Sequence, residues 1–342
     1  LLRVREVAEA AAVLQSSEVP VKAGVLDVVA YYKMFGRQAA ELHRNGAVTE
    51  AGFLVEDRCC FGSAADAAKC CRASNFFVHH ARLAMREVDA MYPAREPALL
   101  EWLAERRAKA LELGCSDAEV EEQWTCLFAL GMYVDDASHV SVDDLLFTAN
   151  GEPLMRDGRQ VRRATAHFEA LRSTFHRFGL NTAKEQPPSE CVELLGVELN
   201  LSEQRMRLTQ RKRAKYAALC SEMAGRKVCG LTAYLELLGK LNFAATCFPR
   251  GRQWLHAPWR AARARYRTRT GCVVLSASVR KSLTAWAEEL SAPEHAGVPL
   301  GAARFPSAGS QQATAIYADA ALDCKGAGFA AWCVVGDEML FC

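Results

Sequence analysis

The sequence predicts an α+β fold built around an antiparallel sheet, and three features predict it. Two apolar runs, 23–35 and 125–134, are too hydrophobic on both sides for half-exposed strands and read as central in a sheet. Residues 137–142 alternate like the return strand of a hairpin begun by the second run. Stretches with apolar residues at three- and four-residue spacing, such as 64–91 and 161–178, read as helices packed on that sheet.

Composition sets the limits. A chain of 342 residues is long enough for two or three units, and 51% hydrophobic with 24% charged side chains is ordinary globular composition that excludes disorder as the main state. No apolar run approaches the roughly 18 residues of a membrane span, and the start at Leu1 lacks the basic, apolar, small-residue order of a signal peptide. The expectation is a soluble, unexported protein with no membrane partner. The 14 cysteines include the adjacent pairs Cys59-Cys60 and Cys70-Cys71 but no CxxC, which argues against a zinc site. Thiols scattered through apolar stretches suit a reducing, intracellular compartment, cytoplasmic or nuclear.

In chain order, 1–15 is helical and ends by Pro20. The strand 23–35 carries Asp27 inside it, and two strand-like pieces flank the hairpin signal Asn45-Gly46. The helix 64–91 closes at Pro93, and 97–122 forms one or two acidic helices broken near Gly114. The second apolar strand runs into Asp135 and Asp136. Gly179 caps the helix 161–178, a Pro187-Pro188 turn precedes a short strand over 192–199, and helices dominate 210–267. After a loop-like stretch, 291–310, strands recur at 313–318, 327–335 and 338–341.

The net charge of +2 hides a segregation. Residues 106–144 are dominated by acids, Asp143 and Asp144 among them, and could hold metal cations. In 201–270 only Glu203, Glu222 and Glu236 oppose many arginines and lysines, which suits a polyanion. There Arg250, Arg252, Arg260, Arg263 and Arg265 are interleaved with Trp254 and Trp259, a mixture fitted to phosphate contacts and stacking. An earlier cluster includes Arg205, Arg207, Arg211, Lys212 and Arg213.

An aspartate inside an apolar strand is costly unless paired, hydrogen-bonded or metal-bound. Asp27 in VLDVV and Asp135-Asp136 after LFALGMYV share that oddity. If the strands are neighbours, three carboxylates gather at one sheet edge as the oxygen-rich site Mg²⁺ prefers. The alternative is that these acids cap strand ends or face solvent.

These residues resemble a known family. Tyr133-Val134-Asp135-Asp136 is similar to the YxDD box of reverse transcriptases, and its companions stand in family order. LDVVAYYKM at 26–34 resembles the first catalytic-aspartate motif, Phe61-Gly62-Ser63-Ala64 the nucleotide-binding motif, RFGLNTAK at 177–184 the next palm motif, and ELLGVELN at 193–200 the primer grip. LLGKLNFAATCFP at 237–249 resembles the connection segment of retroviral and LTR- or DIRS-type retrotransposon enzymes. The resemblance implies a right-hand polymerase palm and an RNA-directed DNA polymerase acting on a primed RNA or DNA template with deoxynucleoside triphosphates. Two Mg²⁺ ions, or Mn²⁺, would be held by Asp27, Asp135 and Asp136. Tyr32 would block a ribose 2′-hydroxyl, with a core role for it or a gating role for Tyr31 as alternatives. Phe61 and Gly62 would lie beside the incoming base pair, Lys184 would protonate pyrophosphate or sit on the surface, and Leu195 with Gly196 would form the primer grip.

Departures from the pattern are Asp66 where the family has proline, and a longer segment at 93–123, read as an insertion. The resemblance also implies an order of regions: 1–22, a remnant of the fingers; 23–200, the palm with partial fingers; 201–300, a helical thumb and connection; 311–342, the start of a ribonuclease H-like domain. In the last, IYADAALDCKGAGFAAWCVV resembles the first two strands, with Asp319 as a metal ligand or, alternatively, an unrelated hairpin. A retroelement polymerase fragment is expected, with a non-catalytic nucleic-acid-binding relic as the rival.

Overall fold

The computed structural model of the chain describes residues 4–35, 46–49, 52–55, 64–249, 251–268, 271–293, 297–301, 315–323, 326–335 and 338–341. They divide into two units, Leu1–Leu300 and Gly301–Cys342.

In the first unit, α1 (Val4–Gln15) buries Val4, Val7, Ala8, Ala11 and Leu14 along one face. β1 (Val21–Val28) follows but does not continue to residue 35. Ala30 turns left-handed (φ 51°) and a 3₁₀ turn spans Tyr31–Met34. Tyr31 gives the reason: its ring is buried edge-on to Phe35 and Phe77, and its hydroxyl lies 3.1 Å from the Cys70 carbonyl and 2.9 Å from Ser74 Oγ. Core packing therefore takes the chain off the sheet, and Tyr31 is a core residue with no free edge to offer a sugar.

β2 (Gly46–Thr49) pairs with β3 (Gly52–Val55), Gly46 opposite Val55 and Thr49 opposite Gly52. The reversal of this hairpin lies between Thr49 and Gly52, while Asn45 of the expected Asn45-Gly46 turn lies outside the described residues.

α2 (Ala64–Met91) runs as far as the sequence predicts, and α3 (Pro97–Glu112) starts with Pro97 at its first position. Gly114 (φ 79°) ends the helical path. α4 (Asp117–Glu119), a single turn capped reciprocally by Ser116 and Glu119, leads into a π turn, Val120–Trp124. This acidic segment is a buttress. Leu99 and Trp102 are buried, Trp102 Nε1 donates to Ser16 Oγ (2.9 Å), and the Arg106 guanidinium sits 4.8 Å and 5.3 Å from the Trp102 and Trp124 rings.

β4 (Phe128–Tyr133) and β5 (Asp136–Val142) form a tight hairpin, followed by a small ribbon, β6 (Met155–Arg156) and β7 (Arg159–Gln160). α5 (Arg163–Arg177) ends at left-handed Gly179, and β8 (Thr182–Ser189) completes an antiparallel sheet of order β4-β5-β1-β8. Period-two alternation along β1 puts Val21, Ala23, Val25 and Asp27 on one face and Gly24, Leu26 and Val28 on the other. Leu26 and Val28 join Leu130, Met132 and Ala137 against Phe77, Ala81 and Met85 of α2 and Phe168, Leu171 and Phe175 of α5. Val21, Ala23, Val25, Val140 and Val142 share a second cluster with α1. Each large side chain so buried contributes about 1.5–3 kcal/mol. Asp27 is the last member of its row.

Two expectations change here. Pro187 and Pro188 do not make a turn; they lie inside β8, an edge strand whose register with β1 shifts between Ala23 and Val25, and an edge bulge needs no donor from proline. Asp143 and Asp144, read from sequence within an acidic stretch suited to cations, pair with basic side chains of the chain itself. Asp144 accepts two bonds from the fully buried Arg163 (2.6 and 2.9 Å), which also reaches Asp89 (2.6 Å), and Asp143 pairs with Lys22 and Arg162.

The strand expected over 192–199 is instead a hairpin. β9 (Cys191–Leu194) and β10 (Val197–Asn200) reverse at Leu195-Gly196, both left-handed, and β11 (Arg205–Leu208) extends the sheet. Then come α6 (Gln210–Ala224), β12 (Val228–Gly230), α7 (Leu231–Ala244), α8 (Gly251–Thr268), β13 (Cys272–Val274), α9 (Ala277–Ser291) and β14 (Val298–Pro299). β12 pairs with β13, and β14 with β11. Tyr234, Leu238 and Leu241 of α7 and Leu283 and Trp286 of α9 are fully buried between these helices. Trp254 and Trp259 are half-buried and pack against that core, Trp254 edge-on to Trp286 at 5.5 Å.

The second unit is an antiparallel meander of β15 (Ala315–Asp323), β16 (Gly326–Val335) and β17 (Glu338–Phe341). Asp319 stands opposite Ala330 in β15; its side chain lies outside the described residues. Among the described residues no helix is long and apolar enough to cross a membrane.

Candidate active site

Strand register brings the carboxylates together. Asp27 is the cross-strand partner of Asp136, so both project from the same face at the end of the β1–β5 pair. Tyr133 pairs with Asp136 across a two-residue turn, Val134-Asp135. Val134 has φ 59°, a costly conformation for a β-branched residue that persists only where the surroundings impose it. Here Ser74 Oγ of α2 donates to the Val134 carbonyl (2.8 Å), and Val28 N–H donates to the Asp135 carbonyl (3.0 Å). The aspartate pair is thus held from below by α2 and from the side by β1.

The site is electrostatically tense. Burial pushes the Asp136 carboxyl up to about 6, with the charges of Asp135 and Asp27 adding to it. Asp135 is also raised, first by burial and then by Asp27. Lys184 relieves part of this: its Nζ lies 3.1 Å from Asp27 Oδ2, and that bond holds the ammonium pKa above the usual lysine range. A bulge aims it. Asp27 pairs with Ala183 and Val25 with Gln186, leaving an extra residue in β8, and Lys184 takes φ 50°. Among the described residues no three Asp, Glu, His or Cys side chains form a ready metal cage. What is present is a set of hard oxygen donors whose mutual repulsion a cation would reduce.

A cavity of about 540 Å³ opens beside this pair, walled by Asp27, Asp136 and Lys184 on the first sheet and by Leu195, Gly196, Arg211 and Lys212 opposite. Gln186 docks the β9–β10 hairpin there, donating through Nε2 to the Glu193 carbonyl (2.8 Å) and accepting from Glu193 N–H (2.9 Å). Sequence reasoning put Arg211 and Lys212 in a general basic cluster and missed their place in this wall. Only the hairpin geometry reveals it.

The other candidates fall elsewhere. Tyr32 lies in the 3₁₀ turn after β1 with its side chain outside the described residues, and Phe61, Gly62 and Arg250 lie outside them altogether. Arg252, Arg260 and Arg263 are exposed on one face of α8, while the Arg265 side chain lies outside the described residues. Part of the basic cluster is spent internally: Arg207 pairs with Glu198 and Glu203, and Arg213 donates to the Leu290 and Ala292 carbonyls. Cys70, Cys220, Cys229 and Cys247 are buried free thiols, whereas Cys191 and Cys272 are exposed.

Neither a protein-family profile nor a curated protein matches this chain. Foamy viral protease-reverse transcriptases are among the solved structures it resembles. The dRH form in complex with ds DNA is 10% identical with a TM-score of 0.46, matched over 94% of this chain and 42% of that one. The protein in complex with RNA/DNA hybrid is 12% identical with a TM-score of 0.41, matched over 79% of this chain and 27% of that one. The chain spans less than half the length of either.

Proposed function

We propose that this chain is the polymerase portion of an RNA-directed DNA polymerase of a retroelement, a nucleotidyltransferase that extends a primer on an RNA or DNA template. The observation that carries the reading is the register pair Asp27–Asp136 with Asp135 in the adjoining turn, at a sheet end that faces an open cavity. Asp27, Asp135 and Asp136 would hold Mg²⁺ or Mn²⁺; such ions activate an attacking hydroxyl and neutralise charge on a departing pyrophosphate. Lys184 holds a proton on Nζ at the rim of the carboxylates, where a general acid for the leaving group is needed. Leu195 and Gly196 line the opposite wall, where a primer end would rest. Arg252, Arg260 and Arg263 form an exposed cationic stripe for phosphates.

One observation favours a second reading, a non-catalytic nucleic-acid-binding protein: the Lys184 ammonium sits 3.1 Å from Asp27 Oδ2, where a metal ion would have to displace it. Primer extension with Mg²⁺ on RNA and DNA templates, run beside a duplex-binding assay, separates the two. Extension supports the polymerase. Tight binding with no extension supports the second reading.

A further inference from the structure

A lysine of α6 reaches back to the turn that faces the carboxylates. Leu195 (φ 52°) and Gly196 (φ 75°) are both left-handed, a conformation that suits glycine and costs leucine energy, so the turn needs outside support. That support comes from the start of α6. Thr209 N–H donates to the Gly196 carbonyl (3.2 Å), and Lys212 Nζ donates to the Leu195 carbonyl. The Lys212 methylenes lie over Gly196 so closely that a Cβ there would come within 2.6 Å of Nζ. The ammonium also stands 4.6 Å from the centre of the Phe243 ring of α7.

A lysine serving only as a phosphate contact keeps its charged head in water. Lys212 is instead half-buried and spends its head on a backbone carbonyl and an aromatic face, whereas neighbouring Arg211 is 84% exposed. We propose that Lys212 is a positioning residue: by tying the Leu195 carbonyl to α6 and α7, it fixes the Leu195-Gly196 turn at the rim of the cavity that holds Asp27 and Asp136, and so sets where a primer end meets those carboxylates. The tie stands on geometry alone; the effect on the primer rests on the polymerase reading.

The test uses the 342-residue chain and two variants. Lys212→Met keeps the methylenes and removes the donor, and Lys212→Arg restores a charged donor. Amide hydrogen exchange reads the tie without reference to activity. Loss of one charge-assisted bond should speed exchange at Thr209 by about tenfold or more in Lys212→Met, with recovery in Lys212→Arg. Primer extension should slow by about tenfold at saturating primer-template, with the primer-template Kd changed less than about twofold. Unchanged exchange overturns the tie. Faster exchange with an unchanged extension rate overturns the effect on the primer. A weaker Kd with a salt slope flattened by about one would make Lys212 a phosphate contact and overturn positioning. If the parent chain extends no primer while exchange responds as expected, the polymerase reading fails and the tie survives. Should Lys212→Met not fold, Lys212→Leu, which also removes the donor and keeps an apolar side chain beside Gly196, should produce the same two changes, and their absence counts equally against the proposal.

Discussion

Acid should weaken this protein at His139. This residue of β5 stands opposite Gly24, whose missing side chain makes room for the imidazole: a Cβ there would lie 2.5 Å from His139 Cε1. The ring is fully buried against Phe168, and neither nitrogen has a well-aligned hydrogen-bond partner. Burial, with His167 adding to it, pushes the imidazole pKa from 6.5 down to about 3, against a smaller opposing effect of the Ala164 and Gly24 backbone. The folded state therefore holds His139 neutral, while the unfolded chain takes up a proton below pH 6.5. Stability is fully present above that value and falls as the pH drops toward 3. At 1.36 kcal/mol per unit, the loss between pH 7.5 and pH 5.0 is about 2 kcal/mol. Urea unfolding of the parent and of His139→Leu at the two pH values isolates this contribution, because other titrating groups are common to both. The parent should lose about 2 kcal/mol more than the variant. Equal losses would refute the reasoning.

Three further outcomes are expected. Asp144→Asn should destabilise the fold by about 3–5 kcal/mol in urea unfolding, because it strips a charged partner from fully buried Arg163; a change below about 1 kcal/mol would show the pair to be solvated. Burial and like charges raise Asp136, so its ionised form disfavours the fold above about pH 6 and the penalty fades below it. Mg²⁺ should accordingly raise the parent's Tm more at pH 7.5 than at pH 5.5 and have little effect on Asp136→Asn, as thermal melts with and without the ion would reveal. Replacing Arg252, Arg260 and Arg263 together should flatten the salt dependence of duplex binding by up to about three, at about 0.9 per phosphate contact, and leave sequence preference unchanged.

The helices were legible where apolar spacing and proline agree, as in α2 between Ala64 and Pro93. The gathering of Asp27 with Asp135 and Asp136 was legible too, because a buried carboxylate announces a special environment, but the two apolar strands are not neighbours: the return strand β5 lies between β4 and β1, and it is β5 that sets Asp136 opposite Asp27. The rest depended on contacts between distant residues. Burial of the Tyr31 ring under α2 ends β1 early. Leu195 at positive φ hid the β9–β10 turn inside what reads as one strand. Asp143 and Asp144 looked like candidate ligands because their arginine partners, Arg162 and Arg163, lie 19 residues on and show no local pattern. The place of Lys212 could not be read from a basic run, since charge density says nothing about which head turns inward.

Whether Asp27, Asp135 and Asp136 form a catalytic centre is decided by one comparison. Primer extension with Mg²⁺ is measured for the parent and for Asp135→Asn, with duplex affinity determined on the same preparations. The parent should extend the primer, the variant should not, and both should bind duplex with the same affinity, since the substitution removes a proposed metal ligand and no phosphate contact. Equal extension by parent and variant would contradict it.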